Sequence, residues 1–407
     1  MPRHMQTDFA VSGHWNGAFD PERLRDWAVA LRAQLRAPGV TLGLVFVAPK
    51  FFEQAEELLE ILRVHARIPL LAGCSSPSLI AGSKELEDSA GVVLGLYHFP
   101  GGSVRAHHFT QEQVEDGELP GYWPRVTEVE PDACNGWLVF ADPFHLDAER
   151  WLRQWNHAYA PLPIIGGLAT GEPSTPRTQV YLNAAVFETG GVALSFHGDV
   201  ALESLISQGC TPIGETWTIT KSERNFIHEI GSRPAYTVLN ETFNSLAKRD
   251  QTKARGNIFV GLVIDEYREE FQRGDFLVRN LLGADPSRGS IAVGALPRTG
   301  QTVQFQRRDA AAATEDLQEL LERTGTRLAG RTLYGACLCS CNGRGERLFG
   351  VESHDATLVN EHLATPGLTG FFCNGEIGPV GNKSFLHGYT ASLALFVKKL
   401  ETRVEAP

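Results

Sequence analysis

The 407-residue sequence is most informative at first for what it has little of. No uninterrupted apolar run reaches about 18 residues, so no membrane-spanning helix is expected. Seven cysteines, an odd number at scattered positions, argue against a disulfide framework and fit a reducing cytoplasm. Basic residues are in deficit: 37 Lys and Arg against 48 Asp and Glu leave a net charge of −11. Basic clusters do not exceed pairs such as Arg307-Arg308 and Lys398-Lys399, which excludes a nucleic-acid footprint. The start, MPRHMQTDFAVSGHW, has no apolar stretch after its basic residues and does not read as a secretory signal. Low-complexity segments are absent, as are a G-x-S-x-G elbow, a phosphate loop and any C-x-x-C pair. What remains is ordinary globular composition, 43% hydrophobic and 21% charged, long enough for two or three cores.

What is present is self-similarity. LVFVAP at Leu44–Pro49 returns as LVFADP at Leu138–Pro143, an offset of 94. A helical pattern follows each copy, through Phe52, Ala55, Leu59 and Leu62 in the first and Ala148, Trp151, Leu152 and Trp155 in the second. Ile68–Gly73 then matches Leu162–Gly167, again offset by 94, and Gly91–Leu94 matches Gly191–Leu194. The unit is strand, helix, short strand, Gly-rich turn, strand. A weaker third copy runs through a strand Leu333–Cys341, a helix Ser353–Leu363, a strand Gly370–Cys373, a turn Gly375–Gly381 and an apolar closing element Thr390–Val397. If the units pack together, GCSS (Gly73–Ser76), GGLATGE (Gly166–Glu172) and CNGEIG (Cys373–Gly378) gather at one end and line a cleft.

The rest divides simply. A short helix is expected near Pro21–Leu35. Trp217–Thr220 and Asn225–Ile230 read as a hairpin around Lys221–Arg224, followed by a helix over Ala235–Ala247 and a strand Ile258–Ile264. Ile291–Leu296 and Thr302–Phe305 read as a meander, and Ala310–Glu322 as a helix. The fold class is α/β with α+β elements: two domains of mixed sheets flanked by helices, with the duplicated unit inside. The linear division is a lead over 1–36, an N-terminal domain over 37–216, a C-terminal domain over 217–400 and a tail over 401–407.

These motifs, with SQGCTPIGE at Ser207–Glu215, GSRPAY at Gly231–Tyr236, SCNGRG at Ser340–Gly345 and FLHGYT at Phe385–Thr390, resemble the FIST family from about Gly43 to Val397. The resemblance implies FIST N-terminal and C-terminal domains, a bacterial and cytoplasmic setting, and a sensory role in binding a small ligand, with amino acids as the proposed class. Some family members are fused to kinases, cyclases or methyl-accepting domains, others are F-box proteins, and one branch binds haem as a gas sensor. Residues 1–35 are too few for such an output, so a separate signalling protein is the expected partner.

The candidate site residues follow. Glu376 hangs a carboxylate between glycines, suited to a cationic group or to capping the turn. Arg344 presents a fork for a ligand carboxylate, or is an exposed loop arginine or an ion-pair partner of Glu346 or Glu376. Together the two would recognise a zwitterion. Asn374 and Gly375 complete the turn. His387 donates to a ligand or to Glu376, or satisfies backbone at a helix start, with Thr390 as N-cap of a helix over Ala391–Lys399. Cys74, Ser75, Gly167 and Thr170 supply the N-terminal side of the cleft, and Cys341 the C-terminal side. Cys337, Cys339 and Cys341 share one strand face but are ill-placed for tetrahedral metal, so no metal is expected. No cofactor is expected either, haem being the one alternative. The rival functions are a cysteine- or carboxylate-based hydrolase or transferase, a haem gas sensor, and an interaction scaffold.

Overall fold

The computed structural model describes residues 8–88, 91–172, 174–268, 270–271 and 274–400. The start of the lead and the tail over 401–407 lie outside the described residues. The chain forms two compact units. The first takes in residues 1–206, 318–386 and 391–407; the second takes in 207–317 and 387–390. The linear division at 216/217 is therefore not the division of packing: residues 318–386 belong with the N-terminal half.

The first unit is built from three copies of one element order. The leading strands are Leu42–Val47, Trp137–Ala141 and Leu333–Cys341. Each is followed by a helix: Ala55–His65, Ala148–Tyr159 and His354–Leu363. The second strands, Leu71–Ser75, Ile164–Leu168 and Thr369–Cys373, run parallel to the leading ones. The helices form because their apolar residues recur on one face. Ala55, Leu58, Leu59 and Leu62 are buried at that spacing, with acids in the first turn and bases in the last. The strands are apolar on both faces because helices cover one side and other sheets the other, so they read as continuous runs.

After its second strand each copy extends a short hairpin, and the hairpin joins a neighbouring copy's sheet. The first copy's hairpin, Leu79–Ala81 with Lys84–Leu86, adds to the third copy's second strand, Thr369 facing Ala81. The third copy's, Glu376–Val380 with Lys383–His387, adds to the second copy's, Glu376 facing Gly167. The second copy's, Val180–Leu182 with Ala185–Phe187, adds to the first copy's, Val180 facing Cys74. Three six-stranded sheets result, linked in a cycle. One core cluster draws on all three copies, including Phe46, Phe140, Phe371 and Phe396.

The strand registers refine the repeat. Gly73 faces Val45, Gly166 faces Val139 and Gly370 faces Leu338. A Cβ at any of the three would fall 1.7–1.9 Å from the facing carbonyl oxygen, so only glycine allows this approach. Gly73 is thus matched by Gly166, one residue short of the offset of 94 read from the second-strand motifs.

The closing segment is a correction. Thr390–Lys398 is a strand antiparallel to Leu333–Cys341, not a helix capped by Thr390. Its run TASLALFV is buried on both faces, which a central strand requires and a one-faced helix does not. His387 accordingly ends the strand Lys383–His387 rather than preceding a helix.

The second unit is an antiparallel ring of strands. Cys210–Glu223, Thr302–Arg308, Ile258–Val263, Phe276–Asp285, Ser290–Val293 and Phe226–Ile230 pair in that order, and the last pairs back to the first. The hairpin at Glu223/Phe226 matches expectation. The supposed meander does not form, since Ser290–Val293 and Thr302–Arg308 each pair with other strands. Helix Ala235–Ser245 adds Val238 and Leu239 to a core of Ile213, Ile219, Ile227 and Phe305.

Candidate functional site

Parallel strand pairs end with their carbonyl ends side by side, and ligands settle beyond such ends. In the first unit the three Gly-rich turns that leave these ends are hydrogen-bonded to one another. Ser75 Oγ donates to the Thr170 carbonyl at 2.9 Å and accepts the Gln179 N–H at 3.0 Å. Ser76 Oγ lies 2.8 Å from the Phe372 carbonyl, and Thr170 Oγ1 donates to that same oxygen at 3.0 Å. Asn342 Nδ2 donates to Thr170 Oγ1 at 3.1 Å. Ser75, Thr170, Asn374, Gly375, Cys341 and Glu376 therefore belong to one locality, with segments hundreds of positions apart in contact.

Two tripeptides of the same sequence, Cys341-Asn342-Gly343 and Cys373-Asn374-Gly375, leave adjacent strands in register, Cys341 facing Cys373. Asn342 and Asn374 are both exposed there. The Asn342 N–H donates to the Cys373 carbonyl and the Asn374 N–H to the Leu168 carbonyl. Gly375 takes φ +142°, and its carbonyl accepts from Leu168 N–H. Gly167 admits the thiols: a Cβ on it would stand 3.0 Å from Cys373 Cβ and 3.2 Å from Cys339 Cβ.

Glu376 is fully buried, opposite Gly167. The Cys373 thiol lies 3.2 Å from its Oε1 and 3.3 Å from the Ser340 carbonyl, donating to one at a time. Burial, then the Glu376 carboxylate and Cys341, push the Cys373 thiol well above its ordinary value, while the Gly375 N–H pulls it down. Burial likewise pushes up Cys74, which is sealed in the core and is no ready nucleophile.

Arg344 calls for a correction. Its fork does not face an open ligand site. Nε donates to Asp355 Oδ2 at 2.6 Å and Nη2 to Asp355 Oδ1 at 2.9 Å, with both side chains buried. Ser340 Oγ and His354 Nδ1 also reach Asp355, at 3.2 and 2.9 Å. Phe349 stacks on His354 and lies under the guanidinium. Nη1 alone has no partner among the described residues. Burial would raise the Asp355 pKa, but the Arg344 charge and the hydrogen bonds hold it below the usual carboxylate range. Glu85, from the first copy's hairpin, accepts the Ala356 N–H at 2.8 Å. Burial and the nearby Asp355 raise Glu85 to about 8, against the Ala356 N–H and Arg344.

Asp355, Glu85 and Asn342 were missed by sequence reading. An acid in a helix's first turn reads as solvated, and nothing in Ser353–Leu363 signals that Asp355 is covered. Asn342 had a signal in the repeated Cys-Asn-Gly. His387, buried, belongs to the second compact unit. Among the described residues no group of three His, Cys, Asp or Glu side chains could hold a metal ion, and no helix is long and apolar enough to cross a membrane.

Two family models match the chain: the FIST N domain over residues 41–233 and the FIST C domain over 235–379. The second draws on both compact units. An uncharacterised protein of Mycobacterium bovis is 34% identical over 373 residues, covering 91% of this chain and 94% of its own length. An uncharacterised protein of Mycobacterium tuberculosis is 34% identical over 371 residues with the same coverage. A cyanuric acid hydrolase from A. caulinodans aligns over 96% of this chain and 99% of its own, at 9% identity and a TM-score of 0.31, a likeness too low to bear on chemistry.

Proposed function

The chain belongs to the FIST family, whose domains are small-ligand sensory domains, and from that premise we propose that it senses an amino-acid-like or other small polar metabolite where its three turns meet. The observation that carries the reading is the hydrogen-bonded seam from Ser75 and Ser76 through Thr170 to Phe372 and Asn342. It supports a rigid frame at the ends of three parallel strand pairs, on which exposed amides stand ready. With the Arg344 fork engaged by Asp355, the carboxylate of such a ligand falls to the Asn342 and Asn374 amides and to turn N–H groups. Arg344 and Asp355 then act as positioning residues that hold the Cys341–Arg344 turn. Ligand binding orders these turns, and a separate signalling protein reads the change.

Calorimetry and thermal shift over a panel of the free amino acids and related small polar metabolites test this. At least one should bind saturably, and Asn342→Ala and Asn374→Ala should each weaken it about tenfold, the value of a net hydrogen bond of roughly 1.4 kcal/mol. Absence of any binder in the panel, or an affinity indifferent to both substitutions, would overturn the reading.

A further inference from the structure

The thiols of the first unit are not equally placed. Cys337, Cys339, Cys373 and Cys74 are buried, whereas Cys341 is partly exposed at a strand end. Cys341 and Cys373 face each other in register on parallel strands. Side chains in register on such a pair share a face, and neighbouring strands lie about 4.8 Å apart, within the Cα separations of about 4.4–6.8 Å that disulfides span. Both sulfurs accept a backbone N–H from the glycine two residues on, Gly343 to Cys341 at 3.4 Å and Gly375 to Cys373. The buried Arg344 guanidinium acts electrostatically on Cys341, and Cys373 has a carboxylate, Glu376, at 3.2 Å.

We infer that Cys341 and Cys373 are a redox pair that a hydroperoxide oxidises to a disulfide. The Cys341 thiolate attacks one peroxide oxygen, the O–O bond breaks, and a sulfenic acid forms as the peroxide leaves as water or alcohol. The sulfur gives up two electrons and the peroxide takes them. Cys373 then attacks the Cys341 sulfur, its thiol proton passing to Glu376. The S–S bond forms, the S–O bond breaks, and the hydroxide leaves as water by taking up a proton. Access sets the order, because only Cys341 is open to the oxidant, and Glu376 sets the direction. A third Cys-Asn-Gly, Cys134–Gly136, supplies an internal control: it has the same glycine N–H to its sulfur, but Cys134 is packed into the second copy's aromatic core. The inference does not depend on the ligand reading; the amino-acid screen can fail while this stands, and the reverse.

The purified full chain, exposed to hydrogen peroxide near pH 7, alkylated and mapped by mass spectrometry, decides it. A Cys341–Cys373 cross-link should form and vanish with dithiothreitol, while Cys134 stays alkylatable. In Cys373→Ser, or Cys373→Ala where the serine disturbs the fold, dimedone should trap a sulfenic acid on Cys341 at least tenfold above the unsubstituted chain. Glu376→Gln should slow the cross-link about fivefold or more without slowing sulfenic acid formation. Oxidation of Cys341 no faster than of Cys134, a dominant Cys337–Cys339 cross-link, or a stable sulfenic acid in the unsubstituted chain would each overturn it.

Discussion

The first and third copies of the repeat share their element order but fill the space between helix and sheet differently. In the first, Leu58, Leu59 and Leu62 from the helix meet Val45 and Val47 from the strand in an apolar cluster. In the third, the helix brings Asp355 down onto Ser340 and Arg344, and a neighbouring hairpin brings Glu85 beside them. The scaffold needs only apolar contact there, as the first copy demonstrates. Charge in the third copy therefore serves something other than holding the repeat together. A buried ion pair is costly to assemble and damaging to break, so it fixes a conformation more than it adds stability.

The largest way to break the comparison is Asp355→Ala, which strands the Arg344 charge in the interior. It should destabilise the fold by about 3–5 kcal/mol in urea unfolding. Next comes pH. Glu85 keeps its proton in the fold up to about pH 8, whereas in the unfolded chain it loses it near 4.3. The fold thus binds more protons than the unfolded chain across that window, and this group's contribution falls as pH rises, by at most about 1.4 kcal/mol per unit. Asp355 works oppositely: its depressed folded pKa adds stability above about pH 4 that is lost as pH drops further. Glu85→Gln should flatten unfolding midpoints between pH 5 and 8 and leave the acid side unchanged. Thr170→Val, which removes its hydroxyl from Phe372 and Asn342, should cost roughly 1 kcal/mol in urea unfolding. The smallest effect sharpens the comparison most. Converting the third copy to the apolar pattern with Arg344→Met and Asp355→Leu together should leave stability within about 1 kcal/mol of the original, measured the same way, while weakening any ligand found.

Much of this was legible in the chain because repeats announce themselves. LVFVAP and LVFADP locate two leading strands, and the turns at GCSS, GGLATG and CNGEIG meet as their common place in the unit implies. What escaped was long-range. Periodicity cannot tell a strand buried on both faces from a buried helix, hence the reversal at Thr390–Lys398. Nor does local pattern show that Arg344 finds Asp355 eleven residues on, since Arg344 reads as a fork for a ligand carboxylate and Asp355 as a solvated charge. The exchange of hairpins between copies leaves no trace in composition, because Leu79–Leu86 would look the same paired anywhere.

That exchange has a consequence for how the polypeptide is made. The hairpin at Leu79–Leu86 finds its partner only when Thr369–Cys373 emerges from the ribosome, nearly 290 residues later. At 5–20 residues per second the wait is on the order of 15–60 s, and throughout it the nascent chain presents unsatisfied β-edges to its surroundings. Biogenesis should lean on a holdase during that interval, and a stop codon late in the gene should be nearly as ruinous as an early one.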